Sequence, residues 1–304
     1  MAHRGSSRRQ RGRPLNGWLV IDKPSGVTSA GVVAEVKRRT QAAKVGHGGT
    51  LDPLATGVLP IALGEATKTV PYLMERSKTY RFTVKWGEAR TTDDEEGEVT
   101  ETSSVRPVAP DIEAALPKFH GDIQQIPPTY SAIKIGGQRA YDLARKGHSV
   151  ELAPRSARIT RFVLISRRDN NHSEFEVDCG KGTYVRALAR DLAVALGTCG
   201  HVARMRRTRV GPFDEDSVFS LDNLAQLGHS AALCEAILPV ETVLDDIPAL
   251  ALTGPQAERL RSGQMVRVSN AKDGVYCARS AERLVALAEA KDSEVRPLRV
   301  FHLK

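Results

Sequence analysis

The residues from Gly46 to Gly57 read Gly-His-Gly-Gly-Thr-Leu-Asp-Pro-Leu-Ala-Thr-Gly and run directly into Val58-Leu59-Pro60-Ile61-Ala62-Leu63. This arrangement places a glycine-flanked loop at the mouth of an apolar strand. Glycine on both sides lets the backbone take positive φ and approach another group closely. Pro53 holds Asp52 extended and out of any helix. The aspartate is therefore presented stiffly, with His47 nearby in sequence. An Asp-Pro pair by itself is most simply a turn. The loop lacks the Gly-Lys-Ser/Thr ending of a phosphate-binding P-loop.

Strand and helix signals alternate irregularly around this loop. Trp18 to Asp22 predicts a short buried strand, and Thr28 or Ser29 offers an N-cap for a helix through about Arg39. Tyr80, Phe82, Val84 and Trp86 alternate with Arg81, Thr83 and Lys85, as in a half-buried strand. Asp93 to Glu98 reads as a solvated acidic turn, with Glu98 to Thr102 pairing back. Phe175, Val177 and Cys179 alternate with acids to predict another strand. Thr183 is the expected cap of a helix whose stripe is Val185, Leu188, Ala189, Leu192 and Leu196. His201 to Arg209 predicts a strand with His201, Ala203 and Met205 on one face and a basic edge containing Arg204 and Arg206. No Rossmann glycine fingerprint appears. The pattern fits an α+β fold with a mixed, mostly antiparallel sheet.

The chain of 304 residues has room for one large domain and a small one. Three segments stand apart: a basic arm at 1–13 with five arginines and no acid, expected to be disordered, the main domain at 14–246, and a small module at 247–304. Within the main domain, 124–155 is rich in glycine, proline and basic residues. A long irregular segment of that kind inside a compact domain is expected to be a binding loop. The net charge of +8 favours a polyanionic partner. The four cysteines form no Cys-x-x-Cys pair and lie beside no histidine at zinc spacing, so they read as small buried residues and no metal is expected. No apolar run is long enough to span a membrane and no secretory signal is present, so the expected setting is the cytoplasm.

Five ordered motifs resemble those of the TruB family of bacterial pseudouridine synthases. They are Gly17 to Ser29 with its Lys23-Pro24 pair, the Asp52 loop, Ser77-Lys78-Thr79-Tyr80-Arg81-Phe82, Gly180 to Leu188, and His201 to Thr208. The resemblance covers nearly the whole chain from Gly17. It implies a pseudouridine synthase core with a catalytic cleft, and the start of the last module, Leu252 to Gln264, more loosely resembles a PUA-type RNA-binding domain, which implies a small β-rich module. It further implies isomerisation of the uridine at position 55 in the T arm of tRNA, without cofactor, by extrusion of the base.

Asp52 is then the nucleophile, with Arg186 holding it ionised. Tyr80 stacks on the flipped base and can shuttle a proton. Tyr184 contacts the nucleotide, Met205 forms part of an apolar wall where relatives commonly carry leucine, and His47 fills the space left by the base. Lys23 and Pro24 brace the loop. Segment 124–155 grips the RNA. Gly48 stands where relatives often carry threonine. Three readings stay open: a stand-alone, monomeric tRNA synthase, a guide-RNA-dependent synthase, and a non-catalytic RNA-binding or tRNA-folding chaperone. The long basic insertion and short last module favour the stand-alone enzyme.

Overall fold

The computed structural model describes residues 12–303 apart from 132, 147–149 and 228–230. The basic arm therefore lies outside the described residues, except for its end. Arg13 exchanges main-chain hydrogen bonds with Gln41 and Ala43 and so belongs to the folded body.

The chain opens with β1 (Gly17–Lys23), α1 (Ser29–Thr40), β2 (Val45–His47) and β3 (Thr56–Leu63). Thr28 caps α1 by accepting the Gly31 N–H. β1 and β3 pair antiparallel from Gly17 opposite Leu63 to Lys23 opposite Gly57. Both strands lack polar alternation because each face is covered. Leu19, Ile21, Leu59, Ile61 and Leu63 enter one core, while Trp18, Val20, Val58 and Ala62 enter a second on the other side.

There follow α2 (Val70–Glu75), β4 (Lys78–Trp86), a hairpin of β5 (Glu88–Arg90) and β6 (Val99–Thr102), α3 (Ala109–Ala115) and β7 (Gly121–Gln125). The segment expected to be irregular carries a small hairpin, β8 (Lys134–Ile135) with β9 (Gln138–Arg139), and α4 (Ala140–Arg145). Gly136 and Gly137 both take positive φ at its turn, which only glycine adopts without strain. The body continues with β10 (Arg155–Arg167), β11 (His172–Cys179), α5 (Val185–Ala195), β12 (Gly200–Val210), β13 (Phe213–Asp214), α6 (Leu221–Leu227) and α7 (Ala231–Glu235).

The main sheet runs β1-β3-β12-β4-β11-β10-β7, with β2 added on β3 and β13 on β12. Every pairing in it is antiparallel except β3 with β12, which meet in parallel at Thr56–Arg206 and Gly57–Arg207. Phe82, Phe162 and Phe175 cluster on one face with ring centroids 5.5–6.0 Å apart.

Two expectations are corrected. Strand β12 is central, between β3 and β4, and not an edge. Register shifts at Val202/Arg204 and Arg207/Arg209 break its alternation, and Arg206 is neutralised by Asp22 and Glu215. Thr183 does not cap α5. Its hydroxyl donates to the Gly180 carbonyl, and Tyr184 takes the N-cap position without a side-chain cap bond.

The last segment is β-rich, as expected. β14 (Ala249–Ala251), α8 (Gly254–Arg261), β15 (Val266–Arg267), β16 (Gly274–Ser280), β17 (Arg283–Lys291) and β18 (Glu294–Val300) form a sheet in the order β14-β16-β17-β18-β15 with one helix. Thr253 and Gln256 build a capping box at the start of α8. Cys277, Leu284, Leu287 and Phe301 join the same core as Trp18, Val58 and Phe213. No described helix is long and apolar enough to cross a membrane.

Candidate active site

The β2–β3 loop is tied down along its whole length. Gly49 takes φ +129°, which glycine allows. Ser29 Oγ accepts the Leu51 N–H at 2.8 Å and donates to the Leu51 carbonyl at 3.0 Å. Lys23 Nζ donates to the carbonyls of Pro24 (2.9 Å) and Pro53 (3.0 Å), and the Gly26 N–H also meets Pro53. The predicted Lys-Pro pair thus lies under the loop that carries Asp52. Burial pushes the Lys23 ammonium down to about 8, although Asp52 and Glu96 pull it upward.

A second brace comes from Arg207, which is 1% exposed. Its guanidinium donates to the carbonyls of Gly49 (3.1 Å), Thr50 (3.3 Å) and Val58 (2.9 Å), clasping both ends of the loop. The close crossing of β3 over β12 requires Gly57. A Cβ there would lie 2.3 Å from the Arg207 carbonyl oxygen, and the residue holds φ +98°. Nothing in the sequence reading singled out Arg207. Its signal was its place two residues beyond Met205 on the inward side of the strand, hidden by an adjacent arginine that suggested a solvated run.

Asp52 emerges with its side chain 37% exposed, while its partner Arg186 is 5% exposed. Arg186 Nε meets Asp52 Oδ2 at 2.9 Å. The rest of the guanidinium is fully engaged: Nη1 donates to the Thr92 carbonyl (2.7 Å) and lies 3.3 Å from Asp94 Oδ2, and Nη2 donates to the Tyr130 carbonyl (2.9 Å). One arginine in the first turn of α5 therefore joins the Asp52 loop, the β5–β6 hairpin tip and the root of the insertion.

The acidic turn is a correction. It is not simply solvated: Asp94 is 2% exposed, and Asp93 pairs with Arg190 at 2.7 Å. Main-chain bonds from Val202 to Asp93 and from Glu95 to Val202 dock the tip on β12. Burial raises the Asp93 carboxyl despite its arginines, and burial with the neighbouring Asp94 and Asp52 raises that of Glu96. A run of acids gives no sequence sign of this, because the arginines that draw it inward lie some ninety residues away (Arg186 and Thr92 are 94 apart).

The other expected site residues divide. Tyr80 stands on β4 opposite Arg207 on β12, and burial raises its phenol while the Arg207 guanidinium opposes the shift. Tyr184 begins α5, with its phenol also raised by burial. The Asp52 charge reaches Lys23, Tyr80, Tyr184 and Glu96, so these groups share one electrostatic neighbourhood. His47 and Met205 have other partners. His47 Nδ1 accepts the Gly49 N–H at 3.3 Å, which leaves the proton of the neutral ring on Nε2, and burial lowers its basicity. Met205 is 7% exposed, packs in the main core and sits opposite Phe82. At Gly48 a Cβ would meet Leu73 Cδ2 at 2.4 Å, so in this chain Leu73 occupies the space a larger residue would need. Among the described residues no three His, Cys, Asp or Glu side chains come together as a metal site.

Two family models match consecutive segments of the chain. The TruB family pseudouridylate synthase N-terminal domain covers 37–185, and the tRNA pseudouridylate synthase B C-terminal domain covers 186–245. Asp52 falls in the first and Arg186 opens the second. Curated relatives called tRNA pseudouridine synthase B include one from Caulobacter vibrioides, 53% identical over 98% of this chain and 99% of the relative. Another, from Bradyrhizobium diazoefficiens, is 54% identical over 99% of this chain and 90% of the relative. Among solved structures, a Cbf5-Nop10-Gar1 complex matches with TM-score 0.70 at 26% identity over 95% of this chain and 84% of the other. An H/ACA RNP bound to a substrate RNA containing 2'-deoxyuridine matches with TM-score 0.72 at 23% identity, covering 99% and 93%, and shares the fold.

Proposed function

This chain belongs to the TruB family of pseudouridylate synthases, and from that premise we propose that it is a stand-alone enzyme converting uridine to pseudouridine at position 55 in the T-arm loop of tRNA. The single observation that carries the chemistry is the Asp52–Arg186 pair: a part-exposed carboxylate on a rigid loop, held by a buried and fully bonded guanidinium. The Arg186 Nε contact to Asp52 Oδ2 fixes the orientation of the carboxylate and which oxygen faces outward.

The reaction breaks the N1–C1′ bond, turns the base and rejoins it through C5. Asp52 supplies the anionic oxygen for the electron-poor centre that arises when the bond breaks. Tyr80 provides the flat contact for the extruded base and a hydroxyl for proton transfer, and Tyr184 contacts the nucleotide from the α5 side. Met205 contributes apolar wall, and His47, with Nε2–H free of the Gly49 contact, fills the gap in the RNA. Lys23, Pro24 and Arg207 brace the loop. Segment 124–155 and the module at 247–304 add RNA contacts and hence affinity.

The monomeric, guide-free reading rests on full-length similarity to relatives named for tRNA modification. A cytoplasmic setting agrees with four unpaired cysteines. The test is purified protein with an unmodified tRNA transcript and no guide RNA. The expected result is pseudouridine at position 55 alone. Binding without product, or product only after a guide RNA is added, would contradict it.

A further inference from the structure

The root of the insertion and the start of α5 form one wall of the site, held together by the Arg186 bond to the Tyr130 carbonyl. Arg190 Nη2 adds a bond to the Ile126 carbonyl at 2.7 Å. The Gln125 side chain adds two more, accepting the Tyr184 N–H at 3.1 Å and donating to the Tyr184 carbonyl at 3.3 Å. Among the described residues of this wall one buried side-chain polar atom is unaccounted for. Ser131 is 4% exposed, and its Oγ is buried with no hydrogen-bond partner.

Its backbone leaves little room to move. The preceding carbonyl is taken by Arg186, and the Ser131 carbonyl accepts the Tyr141 N–H at 3.1 Å. Leaving a buried hydroxyl unpaired is destabilising, and native proteins rarely keep one without a use. Alanine would fill the same space without that cost. The nearby group with matching chemistry is the Tyr184 phenol, on which the Ser131 hydroxyl acts against the effect of burial. Both backbones are clamped by these bonds, which leaves side-chain rotation as their remaining freedom.

We propose that Ser131 is a positioning residue: its hydroxyl pairs with the Tyr184 phenol as the flipped nucleotide presses on that ring, and so sets the ring beside Asp52. This rests on the reading of the chain as a tRNA pseudouridine synthase.

A purely structural serine would make Ser131→Ala neutral or destabilising without touching the chemical step. The test compares full-length parent, Ser131→Ala, Tyr184→Phe and the double variant on an unmodified tRNA transcript. It measures single-turnover rate at saturating enzyme, tRNA affinity and thermal unfolding. Ser131→Ala is expected to slow the saturated rate about tenfold, keep affinity within about twofold, and unfold at the same or a higher temperature. In the Tyr184→Phe background the same change should cost nothing more, because the partner hydroxyl is already gone. A parental rate in Ser131→Ala overturns the proposal. So does an undiminished loss in the Tyr184→Phe background, or a rate loss matched by a fall in melting temperature. Absence of product from the parent itself would remove the functional reading, and this proposal with it.

Discussion

At the level of single residues, the site is defined by buried cations and what they hold. Arg186 and Arg207 are both nearly inaccessible, and both donate to main-chain carbonyls in and around the Asp52 loop, the hairpin tip and the root of the insertion. Lys23 does the same with Pro24 and Pro53 but can lose its proton. Its pKa is depressed to about 8 from 10.5, so between those values the unfolded chain binds more protons than the folded one. The stability contributed by Lys23 is therefore fully present above pH 10.5 and lost as pH falls through about 8. Compared with Lys23→Met, which cannot titrate, the parent should gain stability steadily from pH 7.5 to about pH 10. Paired urea titrations across that range check it, and a difference that is flat or falls with pH would show that the ammonium is not desolvated. Asp52 and Lys23-Pro24 were legible because they sit in short, ordered motifs. Arg207 and Asp94 were not, because single arginines and acids inside charged runs give no sign of which one turns inward. That choice is made by a strand crossing and by residues distant in sequence.

At the level of elements, the period-two signals of β4 and β11 were readable because one face meets the aromatic cluster and the other meets polar groups. β1 and β3 were readable as apolar runs, although only their packing between two cores explains the missing alternation. The start of α5 was misread because threonine is a common cap, whereas the helix is started by a side chain from another strand. Gln125, 1% exposed, satisfies both the N–H and the carbonyl of Tyr184. Gln125→Ala should therefore destabilise the protein by about 1–2 kcal/mol, as loss of a helix cap does, and slow turnover by loosening Tyr184 and Arg186. Chemical denaturation with single-turnover assays would detect both effects. Gln125→Glu retains the acceptor for the Tyr184 N–H and should recover part of the stability. Unchanged stability in the alanine variant would show that the cap is dispensable.

For the whole molecule, the sheet order brings together a loop between β2 and β3, the middle of β4 and the start of α5. Within the main sheet the one parallel strand pairing among the described residues, β3 with β12, lies where the Asp52 loop joins the sheet. The last module was legible as a β-rich segment, but not its attachment. Lys68 donates to the Val300 carbonyl, and the His302 N–H meets Glu65. With a shared core beneath these bonds, deletion of 247–304 should uncover Trp18 and Val58 and lower the melting temperature by at least about 5 °C, in addition to weakening tRNA binding. Calorimetry on the truncated chain tests this, and an unchanged melting temperature would mean that the two parts fold independently.

All of this organisation converges on one carboxylate. The most direct measurement is single-turnover pseudouridine formation by Asp52→Asn at saturating, unmodified tRNA, with binding measured on the same preparations. Asparagine keeps the shape and can still accept from Arg186, but carries no charge. The account predicts no product above background and a tRNA affinity within about threefold of the parent, since affinity comes from many phosphate contacts. Product formed at a rate near the parental one would contradict it.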